Sequence, residues 1–93
     1  ILLNALQAMS QGGRLTIRLY VSGGNLLTAI TDQGAGIPPD VRAKLFEPFF
    51  STKQGGTGLG LSISQRIIEG HNGRLRLFSK PGAGTSVVVR LPL

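Results

Sequence analysis

The chain has 93 residues, which is enough for one small domain with a modest hydrophobic core. Ten Lys and Arg residues against four Asp and Glu residues give a formal net charge of +6 at pH 7, which favours an anionic partner. The absence of cysteine excludes disulfides, thiolate metal sites and a cysteine nucleophile, and is compatible with the cytoplasm. No apolar run approaches the roughly 20 residues of a membrane span, so we expect no direct membrane insertion.

The basic residues stand singly along the chain, and the few aromatic residues do not alternate with them. A protein that binds single-stranded nucleic acid usually combines a basic groove with a row of aromatic side chains. We therefore expect no nucleic-acid partner.

The first third of the chain predicts a helix followed by a β-hairpin. Residues 1–9 favour a helix, which the glycine pair at 12–13 ends. Residues 14–21 alternate apolar and polar side chains, as is typical of a half-buried strand. After turn residues at 22–25, residues 26–31 resume a strand pattern, which indicates an antiparallel pair.

The remaining segments complete an α+β pattern. Residues 32–57 are rich in Gly and Pro and contain one short helix-like piece at 40–46; so long an irregular segment is more often functional or mobile. A helix is predicted at 58–70, and strands at 74–78 and 85–93 joined by a turn. The order predicts a two-layer sandwich, with a mixed, mostly antiparallel sheet and helices on one face.

Asp32 ends the second predicted strand and shares the parity of Ile30, so its carboxylate is expected on the packed face. A buried carboxylate needs a donor, and an exocyclic amine such as that of adenine would be suitable. A simple turn after the strand explains the residue equally well. Gly34 and Gly36 would allow a sharp turn and a close approach of the backbone to a ligand.

The glycine-rich residues 55–60 lead directly into the predicted helix at 58–70. Free amides at a helix start form a natural phosphate site, and Thr52 and Lys53 nearby could add a hydroxyl and a cation. A glycine-rich linker is the alternative, and the segment is not a Walker loop. Asn4 offers a side-chain oxygen suited to magnesium, although the residue alone favours a polar surface position.

Taken in order, five segments resemble the ATP-binding domain of bacterial sensor histidine kinases, whose fold is shared with Hsp90, DNA gyrase B and the mismatch-repair ATPases. The resemblance covers essentially the whole chain, so we expect a single domain at 1–93 with an ATP lid at about 33–57. The stretch FFSTKQGGTGLGLSI is most similar to the nitrogen-regulator-type branch. The five segments are LLNALQAM, DQGAGI, FEPFFSTK, GTGLGLSI and GAGTSVVVRLP.

The resemblance implies a role for each matching residue. Asn4 matches a catalytic, magnesium-binding Asn, Asp32 the acceptor for the adenine amino group, and Lys53 a catalytic lid lysine that reaches the phosphates. Phe46 and Phe49 match the aromatic residues at the hinge of the lid. The other nucleotide-binding positions implied are Gly34, Gly36, Ile37, Thr52, Gly56, Thr57, Gly58, Leu59, Gly60, Leu61 and Thr85.

The function that the resemblance implies is binding of Mg-ATP and transfer of its γ-phosphoryl group to a histidine. That histidine belongs to a separate dimerisation domain of the same parent protein, and the phosphoryl group then passes to a response regulator receiver domain. A cytoplasmic location is implied whether or not the parent protein is membrane-anchored. The alternatives are a nucleotide-binding module without kinase activity, or an ATPase or anti-sigma-factor kinase of the same fold, which the FEPF segment disfavours.

The chain departs from the family pattern in two places. A further polar residue normally stands four positions before the residue that matches Asn4, and the family's domain usually begins with an additional helix and strand. We therefore expect an N-terminally truncated domain. The chain's one histidine, His71, matches a structural turn at a helix end and not a phosphoacceptor.

Overall fold

The computed structural model describes residues 1–47 and 60–93. Its elements follow the predicted order, and most bounds differ from the predicted ones by only one or two residues. The predicted helical piece at 40–46 is shorter in the structure, where the helix ends at Arg42 and turns follow it. The elements are α1 Leu2–Ala8, β1 Thr16–Ser22, β2 Asn25–Thr31, α2 Pro39–Arg42, α3 Gly60–Gly70, β3 Arg74–Ser79 and β4 Thr85–Pro92.

The four strands form one sheet in the order β1-β2-β4-β3, and all three pairings are antiparallel. Because side chains alternate along a strand, the register assigns each residue to one of two faces. Ile17, Ile30, Val87 and Leu77 lie side by side across the sheet and define its inner face. The opposite face is called the outer face below.

The core lies between the inner face and two helices, as the sequence predicts. α1 packs against β2, and α3 packs against β3 and β4. In the part of the chain that the structure describes, four apolar side chains are less than a tenth exposed, and those from the strands all point to the inner face. They are Ala5, Ile30, Leu75 and Val87.

The prediction that the first strand is half-buried is wrong for the described residues. Every residue of β1 is exposed. Its inner-face side chains Ile17, Leu19 and Val21 are 54%, 67% and 63% exposed. The physical reason is position, because β1 is an edge strand and neither α1 nor α3 packs mainly against it.

The end of α3 is fixed by backbone geometry that the sequence indicates. Asn72 takes a left-handed conformation with φ of 62°, and the amide of Gly73 donates to the carbonyl of Ile68 over 2.9 Å. His71 Nδ1 donates to the carbonyl of Ile67 over 2.7 Å, which agrees with a structural role at the helix end. Within the described ranges, no helix has the length and apolar character needed to cross a membrane.

Candidate functional site

Asp32 is the most enclosed ionisable residue that the structure describes, at 6% exposure. It follows β2 on the inner-face parity, as predicted, and its Oδ1 accepts hydrogen bonds from the amides of Gly34 at 2.8 Å and Thr85 at 3.2 Å. The Asp32 amide in turn donates to the carbonyl of Thr85 over 2.8 Å. The structure therefore confirms the predicted parity of Asp32 and shows that its carboxylate closes a turn, while the predicted hydrogen bond to an exocyclic amine stays a prediction.

The second oxygen of Asp32 is the chemically informative one. Among residues 1–47 and 60–93, Oδ2 has no hydrogen-bond partner, and no fully enclosed side-chain oxygen there lacks one. The described hydrogen bonds therefore leave Oδ2 available to a further donor. An ionised carboxylate only accepts hydrogen bonds, so this atom suits a ligand group that donates one.

The glycines after Asp32 contact the protein's own chain. A Cβ on Gly34 would lie 2.7 Å from the carbonyl oxygen of Ala8, and one on Gly36, which has φ of 77°, would overlap the carbonyl of Lys80. The described geometry thus gives both glycines a packing role, and their predicted approach to a ligand stays a prediction. Gly84, with φ of 82°, faces the carbonyl of Asp32 just as closely.

Ser79 connects three segments around this turn, and the sequence analysis missed it. Its Oγ accepts from the amide of Ile37 at 2.8 Å, donates to the carbonyl of Gly84 at 3.0 Å, and lies 2.9 Å from Oγ1 of Thr85. A hydroxyl has one proton, so Thr85 must donate to Ser79. The available signal was a polar residue on the inner-face parity at the end of β3, opposite Thr85 in the register.

The end of α1 lies against the segment that follows Asp32. The amide of Gln33 contacts Sδ of Met9 at 3.3 Å, and Gly34 packs against Ala8. Asn4 stands one turn before Ala8 on the same side of the helix, about 6 Å along its axis. Asn4 is half-buried and has an interaction partner, so it is not the freely exposed surface residue of the alternative interpretation.

The packing of α3 indicates which end of the sheet the start of this helix approaches. Gly73, just after the helix, packs against Arg90 and Leu91 at the far end of β4. α3 packs against β3 and β4 and ends beside Arg90 and Leu91, which favours a helix direction that takes its first residues toward the end of the sheet that carries Thr85. Gly60 is exposed, and among residues 1–47 and 60–93 no atom outside its chain neighbours and its own helix backbone lies within 4 Å of the place where its Cβ would stand.

The structure therefore joins Asp32 directly to Gly34 and Thr85, and Ile37 reaches Thr85 through Ser79. Gly36 lies in the same turn and faces Lys80. Phe46 is half-buried in the turns after α2, with no described contact to Asp32. Seven further predicted site residues lie outside the described residues. These are Phe49, Thr52, Lys53, Gly56, Thr57, Gly58 and Leu59.

Comparison with known proteins gives consistent matches over the whole chain. The family model described as histidine kinase-, DNA gyrase B- and HSP90-like ATPase matches residues 1–93. The signal transduction histidine-protein kinase AtoS of Escherichia coli (strain K12) is 45% identical over 94 residues, covering 100% of this chain and 16% of AtoS. Sensor histidine kinase ZraS of the same strain is 38% identical over 91 residues, covering 98% of this chain and 20% of ZraS. The chain thus spans at most about a fifth of the length of these relatives.

Solved structures agree with the sequence matches. Mycobacterial sensor histidine kinase MprB superposes with a TM-score of 0.84 at 40% identity, covering 98% of this chain and 64% of the MprB chain. The catalytic domain of histidine kinase ThkA gives 0.85 at 33% identity, covering 98% of this chain and 60% of that chain. The buried acid at the end of β2, the antiparallel sheet with helices on one face and these matches have one explanation: the chain belongs to the histidine kinase-, DNA gyrase B- and HSP90-like ATPase family.

Proposed function

We propose that the chain binds ATP, with the adenine amino group donating a hydrogen bond to Oδ2 of Asp32. The observation that carries this proposal is the environment of that carboxylate. Asp32 is 6% exposed, two backbone amides hold Oδ1, and Oδ2 has no partner among the described residues. A buried acceptor of this kind favours a donor and disfavours a ligand that presents another acceptor.

We place the triphosphate at the start of α3, at the end of the bound nucleotide opposite to the adenine. Gly60 and Leu61 begin an 11-residue helix directed toward the Thr85 end of the sheet, and the unpaired amides of a helix start favour anions. Lys53 would neutralise phosphate charge from the lid, and the FEPF aromatic residues would flank it. The remaining positions of this phosphate site are Thr52, Gly56, Thr57, Gly58 and Leu59.

A magnesium ion fits these residues only as a partner of the nucleotide. Among the described residues, no group of three or more His, Cys, Asp or Glu side chains could hold a metal. Magnesium usually keeps several waters and binds through one or two protein oxygens together with phosphates. Asn4 supplies such an oxygen on the side of α1 that approaches Gly34, so we propose it as the magnesium ligand.

We further propose that the bound ATP donates its γ-phosphoryl group to a histidine on a separate dimerisation domain of the parent protein. AtoS and ZraS are histidine kinases, but this chain matches only 16% and 20% of their lengths. The acceptor histidine attacks the γ-phosphorus and ADP leaves, and the phosphoryl group then passes to an aspartate of a response regulator. This chain's residues position the nucleotide and neutralise its charge, in the cytoplasm where ATP is available.

The binding step is tested by calorimetric titration of the chain with ATP and with GTP in magnesium buffer. Guanine presents a carbonyl oxygen where adenine presents its amino group, so that oxygen would face the Asp32 carboxylate. We expect ATP to bind at least about 100-fold more tightly than GTP. Equal affinities for ATP and GTP would show that Asp32 does not distinguish adenine from guanine.

The transfer step is tested by mixing the chain with the parent's dimerisation domain and γ-labelled ATP. An acid-labile, alkali-stable phosphohistidine is the expected product. Release of inorganic phosphate without it would indicate an ATPase, and phosphoserine on a protein partner would indicate an anti-sigma-factor kinase. ATP binding with no transfer and no hydrolysis would indicate a nucleotide-binding module without activity.

A further inference from the structure

The outer face of the sheet carries four exposed arginines. Arg18 lies on β1, Arg74 and Arg76 on β3, and Arg90 on β4. Arg74 stands directly opposite Arg90 in the register, and Arg18 and Arg76 occupy one row across Ala29 and Val88. Like charges that face each other across two strands lower stability, typically by several tenths of a kcal/mol.

No acidic side chain balances this charge. Asp32 follows β2 on the inner face, and Glu69 belongs to α3, which packs on that face. Asp40 belongs to α2 and Glu47 to the turns after it, so neither is a strand residue of the outer face. These are the chain's four acidic residues, so every charged side chain that the strands present on the outer face is an arginine, which fits an anionic partner.

A cavity of about 320 Å³ opens at one end of the outer face. Its walls include the outer-face side chains of Thr31, Phe78 and Ser86. Arg42 and Lys80 add two cations to the rim, and the Phe78 ring is 53% exposed. The cavity therefore has an apolar wall and a basic margin, a combination that accepts an apolar side chain flanked by acidic ones.

We propose that the outer face binds an acidic segment of a partner protein, with one apolar side chain of that segment in the Phe78 cavity. Arginine guanidinium groups bind carboxylates in bidentate pairs, which suits glutamate and aspartate side chains. A concave anchor site beside a charged area is a common arrangement in peptide recognition. The four arginines lie on the opposite side of the sheet from Asp32, whereas the cavity also borders Ser79, Gly84 and Thr85 at the sheet end that carries Asp32. The peptide measurements below are made without nucleotide, so they test the surface independently of nucleotide binding.

The spacing of the aromatic residues disfavours single-stranded nucleic acid as the occupant. Tyr20 lies on one edge strand and Phe78 on the other, three strands and four residues apart, or about 20 Å. Consecutive stacked bases need aromatic rings much closer together. The Tyr20 ring is also covered by the guanidinium of Arg18, 5.5 Å from its centroid.

The test uses fluorescence polarisation with two labelled peptides, EEEEFEEEE and EEEEAEEEE, at low salt. We expect the phenylalanine peptide to bind about tenfold more tightly, and binding of both to weaken as NaCl is added. Phe78→Ala should remove the preference for phenylalanine and leave the affinity for the alanine peptide unchanged. Equal affinity of the two peptides for the unaltered chain would overturn the role of the cavity.

A matched pair of variants separates the surface from the net charge. Arg90→Gln removes one positive charge from the outer face. Arg66→Gln removes one from an exposed position on α3. We expect Arg90→Gln to weaken peptide binding about fivefold and Arg66→Gln by less than twofold. Because Arg90→Gln relieves the repulsion with Arg74, it should unfold at the same or higher urea concentration, so lost binding cannot be attributed to lost folding.

The proposal is overturned if Arg90→Gln and Arg66→Gln weaken peptide binding equally, because peptide affinity would then depend only on the net charge of the chain. It is also overturned if the chain prefers another class of anion. The probes for that are a labelled dT12 oligonucleotide and vesicles of phosphatidylcholine with 25% phosphatidylglycerol. Tighter binding of either probe than of EEEEFEEEE, sensitive to Arg90→Gln, would reassign the surface to that class.

Discussion

Asp32 and Thr85 are 53 residues apart in sequence and are joined by two hydrogen bonds in opposite directions. The Asp32 amide donates to the Thr85 carbonyl over 2.8 Å, and the Thr85 amide donates to the Asp32 carboxylate over 3.2 Å. The first extends the pairing of β2 with β4 by one step. The second orients the carboxylate, so the sheet itself fixes the direction of the side chain proposed to bind adenine.

Asp32→Asn should abolish the recognition of adenine while keeping the local fold. The Asn oxygen can still accept from the amides of Gly34 and Thr85, so the free energy of unfolding should change by only about 1 kcal/mol. Its amide nitrogen then faces the adenine amino group, donor against donor. We expect ATP affinity to fall at least about 100-fold, or ~2.7 kcal/mol, in a calorimetric titration.

Urea unfolding of the same variant is the control for that titration. A variant that unfolds like the original chain and binds ATP equally well would remove Asp32 from the nucleotide site. A variant that loses several kcal/mol of stability would show that the carboxylate serves mainly to close the turn with Gly34 and Thr85.

Gly84→Ala should be strongly destabilising because Gly84 combines two constraints. Its φ of 82° is unfavourable for a side chain, and a Cβ would overlap the carbonyl of Asp32. Gly82→Ala is the matched control, since its φ is 78° and no heavy atom of the described residues, apart from its chain neighbours, lies within 4 Å of its Cβ position. We expect losses of about 3 kcal/mol for Gly84→Ala and about 1 kcal/mol for Gly82→Ala in urea unfolding. Equal losses of unfolding free energy in the two variants would mean that the loop containing Gly84 can move away from the Asp32 carbonyl without a loss of stability.

Much of the fold could be predicted because side-chain alternation fixes the faces of a strand. The pattern of β2 placed Ile30 and Asp32 on one parity, and the structure buries both on the inner face. The glycine pair after the first helix, with φ values of 90° and 146°, and the left-handed Asn72 mark element ends in the same way. These features are local, so the sequence contains enough information to predict them.

Two of the features that the sequence did not predict depend on contacts between distant segments. The alternation in β1 is genuine, but its inner-face residue Leu19 is 67% exposed because β1 lies at the sheet edge. Ser79 becomes a junction only when the turn after Asp32 folds back to bring Ile37 to it. A strand pattern gives neither the strand order nor the path of such a turn. The predictions at residues 48–59 remain predictions.

Ser79→Ala should loosen the turn that follows Asp32. The substitution leaves the amide of Ile37 and the carbonyl of Gly84 without their partner in a partly buried place, so we expect a loss of about 2 kcal/mol. Ser86→Ala removes a single exposed bond to Thr31 and should cost about 0.5 kcal/mol or less. Hydrogen exchange should show faster exchange of the Ile37 amide in the Ser79 variant alone. An unchanged exchange rate of the Ile37 amide would contradict the proposed role of the Ser79 hydroxyl in holding this turn.

Asn4→Ala should weaken ATP binding only when magnesium is present. If the Asn4 oxygen is a ligand of nucleotide-bound magnesium, its removal deprives the ion of one protein contact and leaves the base contact at Asp32 intact. We expect ATP affinity to fall about tenfold with MgCl₂, or ~1.4 kcal/mol, and by less than about twofold with EDTA. Gln7→Ala is the control, because Gln7 is exposed on the same helix and should have no effect under either condition. An equal loss with EDTA would assign Asn4 to the nucleotide or to the packing of α1 and not to the metal.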